Sequence, residues 1–283
     1  MSTILQAIGI GMFVMLVGTV PRNIAFAANL RYYAGVPWAV PVIAVYLWFF
    51  WRYLKGDGPP ESTRPLRRNS LCANRVSVRL WTWALIAGGL GIVGLVLALR
   101  FANHLVVLPQ QQVPDLSNVP IVTVWSLLLM GAPVAGVVEE SAFRGYMQGP
   151  IERRYGLSLA ILITGTMFAV AHLDFTLILW PYYVAVAAIY GTVAYLTNSV
   201  WPSIVLHTGG NIYSNFDLLL HGQAEWQASS VSRELVWATG PDGEFLRLAA
   251  ALIVVVAGVA WAYTRLAKAA REAPGPRDVS GAV

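Results

Sequence analysis

Charge is scarce in this chain. Of 283 residues, 19 are Lys or Arg and 14 are Asp or Glu, so 12% are charged, where soluble domains carry about 25%. The apolar share is 57%. A soluble domain of this size has no way to hide so much apolar surface and still cover itself with so little charge. The deficit excludes an ordinary soluble enzyme and a disordered chain. Cysteine is scarcer still: the single Cys72 has no internal disulfide partner, which excludes a disulfide scaffold and leaves the redox compartment unreadable. The net charge of +5 does not argue for a nucleic-acid partner, because arginines flanking a bilayer give the same balance. No internal repeat is present.

What the chain has in quantity is apolar length. A membrane helix needs roughly 20 mostly apolar residues, and eight candidate spans are found: Ile4–Val20, Val36–Leu54, Val78–Phe101, Val119–Val138 running on through the next polar stretch, Leu157–Leu173, Trp180–Leu196, Trp201–Leu220 and Leu246–Leu266. Trp38, Trp51, Trp81, Trp180, Trp201 and Trp261 sit near their ends, as amphipathic rings do at the headgroup level. Glycines inside spans, such as Gly88, Gly89, Gly91 and Gly94, read as close helix packing. These features predict an all-α, polytopic transmembrane bundle of about eight spans, forming one domain over residues 1–271 with a flexible tail over 272–283. The first span is expected to stay uncleaved. Although Ala25-Phe26-Ala27 resembles a cleavage site, Met1–Gln6 carries no Lys or Arg and the apolar run exceeds a usual signal-peptide core.

Lys and Arg counted by alternate loops give orientation. With the N-terminus inside, 14 fall on the cytosolic side and 5 outside, namely Arg22, Arg31, Arg100, Arg233 and Arg247. This asymmetry predicts that both termini are cytosolic. The most basic segment, Arg52–Arg79, reads as a topology anchor. The stretch His221–Arg247 is polar and long enough for a short interfacial helix.

Ionisable residues within a span cost about 2.5–3.5 kcal/mol each on insertion scales and are usually paired or functional. Three places stand out. In Glu139-Glu140-Ser141-Ala142-Phe143-Arg144-Gly145, a helix puts Glu140 and Arg144 on one face and turns Glu139 about 100° away. Arg144 then neutralises Glu140 and leaves Glu139 available for chemistry. In Phe168-Ala169-Val170-Ala171-His172, Phe168 and His172 share a face. In His207-Thr208-Gly209-Gly210-Asn211, His207 and Asn211 share a face, with two glycines opening space beside them. Imidazole and carboxamide can both donate hydrogen bonds. The spans on either side of Arg153–Gly156 should form a hairpin. Glu139 and His172 are each about 25 Å from its turn along their helices, at 1.5 Å per residue, and so at one depth. A pocket reaching from the cytosolic face toward the midplane could collect Glu139, His172, His207 and Asn211.

This order of motifs, E-E-x-x-x-R, F-x-x-x-H and H-x-x-x-N, resembles the CPBP (Abi) family, the Rce1-like CAAX proteases and bacteriocin-processing proteins. They are intramembrane glutamic endopeptidases with eight transmembrane helices. The family-like core covers about residues 119–220. The resemblance implies that Glu139 and His172 position and activate a water molecule, that His207 and Asn211 stabilise the oxyanion, and that Glu140, Arg144 and Phe168 support the site. This is coherent chemistry: a carboxylate in a low-dielectric site can accept a proton near neutral pH, and two preorganised donors stabilise an oxyanion by several kcal/mol. The implied substrate is a membrane-associated peptide or protein, possibly lipid-modified. The implied location is a multi-pass protein of a bacterial or archaeal cytoplasmic membrane, in contact with lipid and not with nucleic acid.

Three alternatives stand beside this. Glu139, His172 and His207 also make a zinc ligand count, although no H-E-x-x-H helix is present and Asn211 would have no part as a ligand; no cofactor is the favoured expectation. A non-catalytic immunity or scaffold protein could use the same cluster to bind a partner. A proton-coupled transporter also buries carboxylates and histidines, but the inverted repeats of such proteins are missing. Cys72 lies far in sequence from every motif and is not expected to act as a nucleophile.

Overall fold

Apolar length becomes helix because a chain in lipid must satisfy its own backbone polar groups. The computed structural model describes residues 2–108, 115–173, 177–221 and 235–273, and these are built of helices and their connections. In chain order they are α1 (Ser2–Tyr32), α2 (Ala39–Leu54), α3 (Arg64–Leu71), α4 (Val78–Ala102), α5 (Ile121–Glu140), a π-helix (Ser141–Gln148), α6 (Gly149–Tyr155), α7 (Leu157–Ala171), α8 (Trp180–Thr197), α9 (Trp201–His221), α10 (Val236–Thr239) and α11 (Gly243–Glu272). Each of the eight expected spans has its helix. Five helical segments are long and apolar enough to cross a membrane by themselves: Thr3–Tyr32, Val78–Ala102, Ile121–Tyr155, Leu177–Thr197 and Gly243–Glu272. Ala39–Leu54 and Leu157–Ala171 are apolar but shorter. The tail expected from 272 lies outside the described residues except for Glu272 and Ala273, and of the polar stretch after His221, residues 222–234 lie outside them. The short helix expected in that stretch is α10.

The first span runs further than its apolar run suggested. Pro21 removes one backbone donor and its ring displaces the carbonyl four residues back, yet α1 continues to Tyr32. The displaced carbonyl is that of Val17, and the Tyr46 hydroxyl donates to it at 2.5 Å. Arg22 and Arg31, expected in the loop after the first span, therefore lie inside α1. Arg100 and Arg247, counted on the outer side at the ends of their expected spans, lie inside α4 and α11. Pro133 likewise lies inside α5, and close to that point the Asn215 side chain of α9 donates to the Leu128 carbonyl at 2.9 Å.

The helices around the motifs form the interior. α5 packs along α9, α7 along α8, and α1 against both α5 and the π-helix; α11 lies outermost, against α4. Side chains toward lipid are large and apolar, among them Phe13, Ile24, Phe49, Leu162, Ile253 and Val254. Glycines inside α4 mark close packing as expected: Leu206 fills the space over Gly88 and Ile189 that over Gly91. The basic segment is more than an anchor. Arg67 is buried and donates to the carbonyls of Tyr53 (2.7 Å), Asp57 (2.9 Å) and Gly58 (2.8 Å), holding the loop in one shape.

One contact sets the register of the motifs. A Cβ on Gly136 would collide with Thr208 Oγ1 and lie 3.0 Å from the Ile204 carbonyl oxygen. Only glycine lets α5 and α9 approach so closely, and this brings Glu139 and Glu140 beside His207. Gly136→Ala is expected to cost about 1–3 kcal/mol, read from the midpoint of detergent-induced unfolding. Gly131→Ala on the same helix, where the added methyl would meet only Phe26 at 3.7 Å, should change the midpoint little.

Candidate active site

The two adjacent glutamates end α5, and the chain then widens into eight residues of π-helix, all of them buried. Such i→i+5 segments are rare and are found frequently at functional sites. Glu140 is fully buried and shared between two partners: its Oε2 lies 3.2 Å from Arg144 Nε and its Oε1 accepts from His207 Nδ1 at 2.7 Å. The Arg144 guanidinium sits near the rings of Phe168 and Tyr190, both at 5.5 Å, and of Phe143 at 6.0 Å. It is thus packed among aromatic faces and held by one carboxylate, a setting in which cation–π attraction is little screened.

Glu139, on the neighbouring face, has no cation paired so tightly. Its Oε2 is buried without a hydrogen bond and lies 3.6 Å from His207 Nε2. His207 therefore stands between the two carboxylates, with Nδ1 toward Glu140 and Nε2 toward Glu139. Its ring is stacked on Tyr190 at 5.1 Å and 16°. Ser203 Oγ, one turn earlier on α9, donates to the Tyr190 carbonyl at 2.9 Å and ties α9 to α8 beneath that stack. The expected division between the glutamates is present: Arg144 pairs with Glu140 and not with Glu139. The bond from His207 to Glu140 was not foreseen.

His172 follows the last residue of α7. Its Nδ1 donates to the Phe168 carbonyl at 2.9 Å, which leaves Nε2 as the basic nitrogen of the neutral ring. Phe168 flanks it at 4.5 Å and Tyr183 at 5.3 Å. Unlike Glu139 and His207, His172 is exposed. Asn211, one turn beyond His207, is half-buried and makes no hydrogen bond to a described residue. Glu139, Phe168, His172, His207 and Asn211 all line one cavity of about 500 Å³. Glu140 and Arg144 stand behind it, out of contact with its space. The rest of the wall is mixed: Leu95, Leu99, Leu127 and Leu128 are among its apolar residues, and Arg100, Asn215 and Asp217 among its polar ones.

Residues 121–213 match the family model of the type II CAAX prenyl endopeptidase, Rce1-like. This segment is similar to an Rce1-like domain. It runs from the first residue of α5 to Tyr213 in α9, and so contains all seven of the expected site residues. The Rce1-like match, with the apolar helices, supports a multi-pass membrane protease of the CAAX type. No curated protein and no solved structure matches the chain.

Several polar residues of the cavity were missed from sequence, among them Arg100, Tyr190 and Asp217. Arg22 and Asn23 of α1 also line it, outside the Rce1-like segment. The signal for Arg22 was available: apolar residues resume at Ile24 and continue to Leu30, so the arginine interrupts a span. Zinc fits poorly. Among the described residues no three His, Cys, Asp or Glu side chains form a group able to hold a metal, and Glu139, His172 and His207 do not make one. Cys72 is remote from the cavity, with its Sγ 3.3 Å from the Asn198 carbonyl oxygen in the turn before α9. Burial pushes its thiol above the ordinary range, the opposite of an activated nucleophile.

Proposed function

We propose that this chain is a CAAX-type intramembrane endopeptidase that hydrolyses a peptide bond with water activated by Glu139 and His172. The observation that carries the reading is the convergence of Glu139, His172, His207 and Asn211 on one cavity. Attack of the water oxygen on the scissile carbonyl carbon passes a proton to Glu139, with His172 Nε2 orienting the water. The carbonyl electron pair becomes an oxyanion. In its imidazolium form His207 donates from both nitrogens, from Nδ1 to Glu140 and from Nε2 toward the oxyanion; Asn211 Nδ2 is the second donor. Collapse of the tetrahedral intermediate breaks the C–N bond, and the proton on Glu139 moves to the leaving amine. The buried Glu140–Arg144 pair fixes the tilt of His207. No metal takes part. The substrate is a membrane-associated peptide with a lipid-modified cysteine, and the excess of Lys and Arg in alternate loops supports a cytosolic location for both termini.

The test is the purified full chain in liposomes with a quenched fluorescent peptide ending in a prenylated CAAX sequence. Cleavage is expected, at the same rate after chelation of divalent metals and in Cys72→Ser. His172→Ala should slow it by about 10²-fold. Loss of cleavage on chelation with recovery on adding zinc would favour the metal reading. Absence of cleavage, with a Glu139 variant still complementing a deletion of the native gene, would favour a non-catalytic role.

A further inference from the structure

The mechanism above leaves Arg22, Arg100 and Asp217 of the cavity lining without a task, and of these Arg22 is the one level with the reacting groups. Arg22 lies in the middle of a membrane-crossing helix and lines the same space as Glu139. It forms no close ion pair with a described residue, although Glu139 is near enough to act on its charge. Among the described residues its side-chain hydrogen bonds go to the neighbouring Asn23, whose Oδ1 accepts from Nε at 3.1 Å and from Nη2 at 2.9 Å. Two of the five guanidinium N–H groups are thus used and three are left. The Asn23 amide oxygen takes up one edge of the fork and holds it in place. An unpaired cation within a span is costly, and such residues generally meet a substrate or a partner charge.

Helix contacts give its position relative to the reacting groups. α1 and α5 run antiparallel: Gly11 lies against Met147, Gly18 against Val138, and Phe26 against Gly131. Arg22 is therefore level with Ala135, one turn from Glu139, or about 6 Å along the helix. α5 and α9 are antiparallel as well, with Gly136 against Ile204 and Thr208, and Asn215 bonded to Leu128. The same pairing puts Arg22 between the levels of His207 and Asn211, within about a turn of each and of Glu139.

We propose that Arg22 is a specificity-determining residue that pairs with a carboxylate of the peptide substrate, a few residues from the scissile bond. This rests on the endopeptidase reading. An extended peptide advances about 3.3 Å per residue, so the step from Glu139 to Arg22, with the reach of the guanidinium, spans a short stretch of chain. A carboxylate is the group that matches the fork, because it accepts two parallel N–H bonds where an amide accepts one set at a single oxygen. The apolar part of the wall strengthens the pairing by excluding water. A free chain terminus fits best, since it brings the charge without a side chain to house.

The experiment compares two CAAX-type peptides, identical except that one ends in a free carboxylate and the other in a carboxamide. Each is used in a cleavable form and in a form with the scissile amide N-methylated, against the full chain in nanodiscs. The wild type should bind the N-methylated acid about tenfold or more tightly than the amide. Arg22→Gln should bring the ratio near one and leave the affinity for the amide as it was, which also shows that the variant is folded. Arg22→Lys should fall between. Equal binding of acid and amide by the wild type, a preference kept in Arg22→Gln, an equal loss for both peptides in that variant, or no binding of either peptide would each overturn the inference. The underlying reading fails differently. If the acid is preferred through Arg22 but the cleavable pair is never cut, the endopeptidase reading is wrong and the carboxylate site stands. If both are cut in a Glu139-dependent manner with no preference, only the role of Arg22 is lost.

Discussion

Glu139→Gln is expected to lower the rate of reporter cleavage by about 10²–10⁴-fold while leaving the unfolding midpoint close to that of the wild type. The substitution keeps the shape and removes the ability to take a proton. Its effect on stability should be small because the carboxylate has little to lose: Oε2 makes no hydrogen bond, and its nearest cationic partner, His207 Nε2, is 3.6 Å away, with Arg22 acting only at longer range. A buried carboxylate oxygen that makes no hydrogen bond is poorly explained as a structural element. The measurement is kcat and KM on the prenylated reporter, with circular dichroism and the unfolding midpoint on the same sample. A Glu139→Gln protein that still cleaves within a few-fold of the wild type would exclude glutamate-activated water.

The adjacent glutamate should behave in the opposite way. Arg144→Met removes the cation from a pair whose two side chains are both wholly buried. Breaking a buried pair from one side costs about 3–5 kcal/mol, because the remaining charge is stranded. His207 still reaches Glu140 Oε1, so the lower end of that range is expected. Adding Glu140→Gln to Arg144→Met takes away the stranded charge, and the double variant should be more stable than Arg144→Met alone. The double-mutant cycle over these two positions then gives a coupling of the sign of mutual support. Additive losses would mean that Arg144 is held by Phe168 and Tyr190 and not by its carboxylate. Activity should fall in all three variants, since each loosens the bond that orients His207. One pair of neighbouring, chemically identical residues thus divides into a group that matters to rate and a group that matters to both rate and fold.

Much of this was legible from residue order. Apolar length gave each of the eight helices, because lipid leaves a chain no cheaper way to satisfy its backbone. The i,i+4 spacing of Glu140 and Arg144 gave their ion pair, because that relation is local to one helix. What failed to show depends on contacts between helices. Arg22 was placed in a loop because Pro21 breaks the apolar run; α1 passes through since a hydroxyl from α2, Tyr46, covers the freed Val17 carbonyl, a contact 29 residues away in sequence. The bond from His207 to Glu140 depends on the register of α5 against α9, and that depends on the missing side chain of Gly136. The π-helix leaves no periodic mark distinguishing it from α-helix over eight residues.

The walls of the cavity come from two parts of the chain. Glu139, His172, His207 and Asn211 fall within residues 121–213, while Arg22, Asn23, Leu95 and Leu99 precede them. On the reading proposed above, the groups that handle water and the cation that would hold the peptide lie on different stretches of the chain. Substitutions in α1 and α4 would then be able to change which peptide is held while leaving Glu139 and His172 in place. A match confined to residues 121–213 carries no information on that part of the wall.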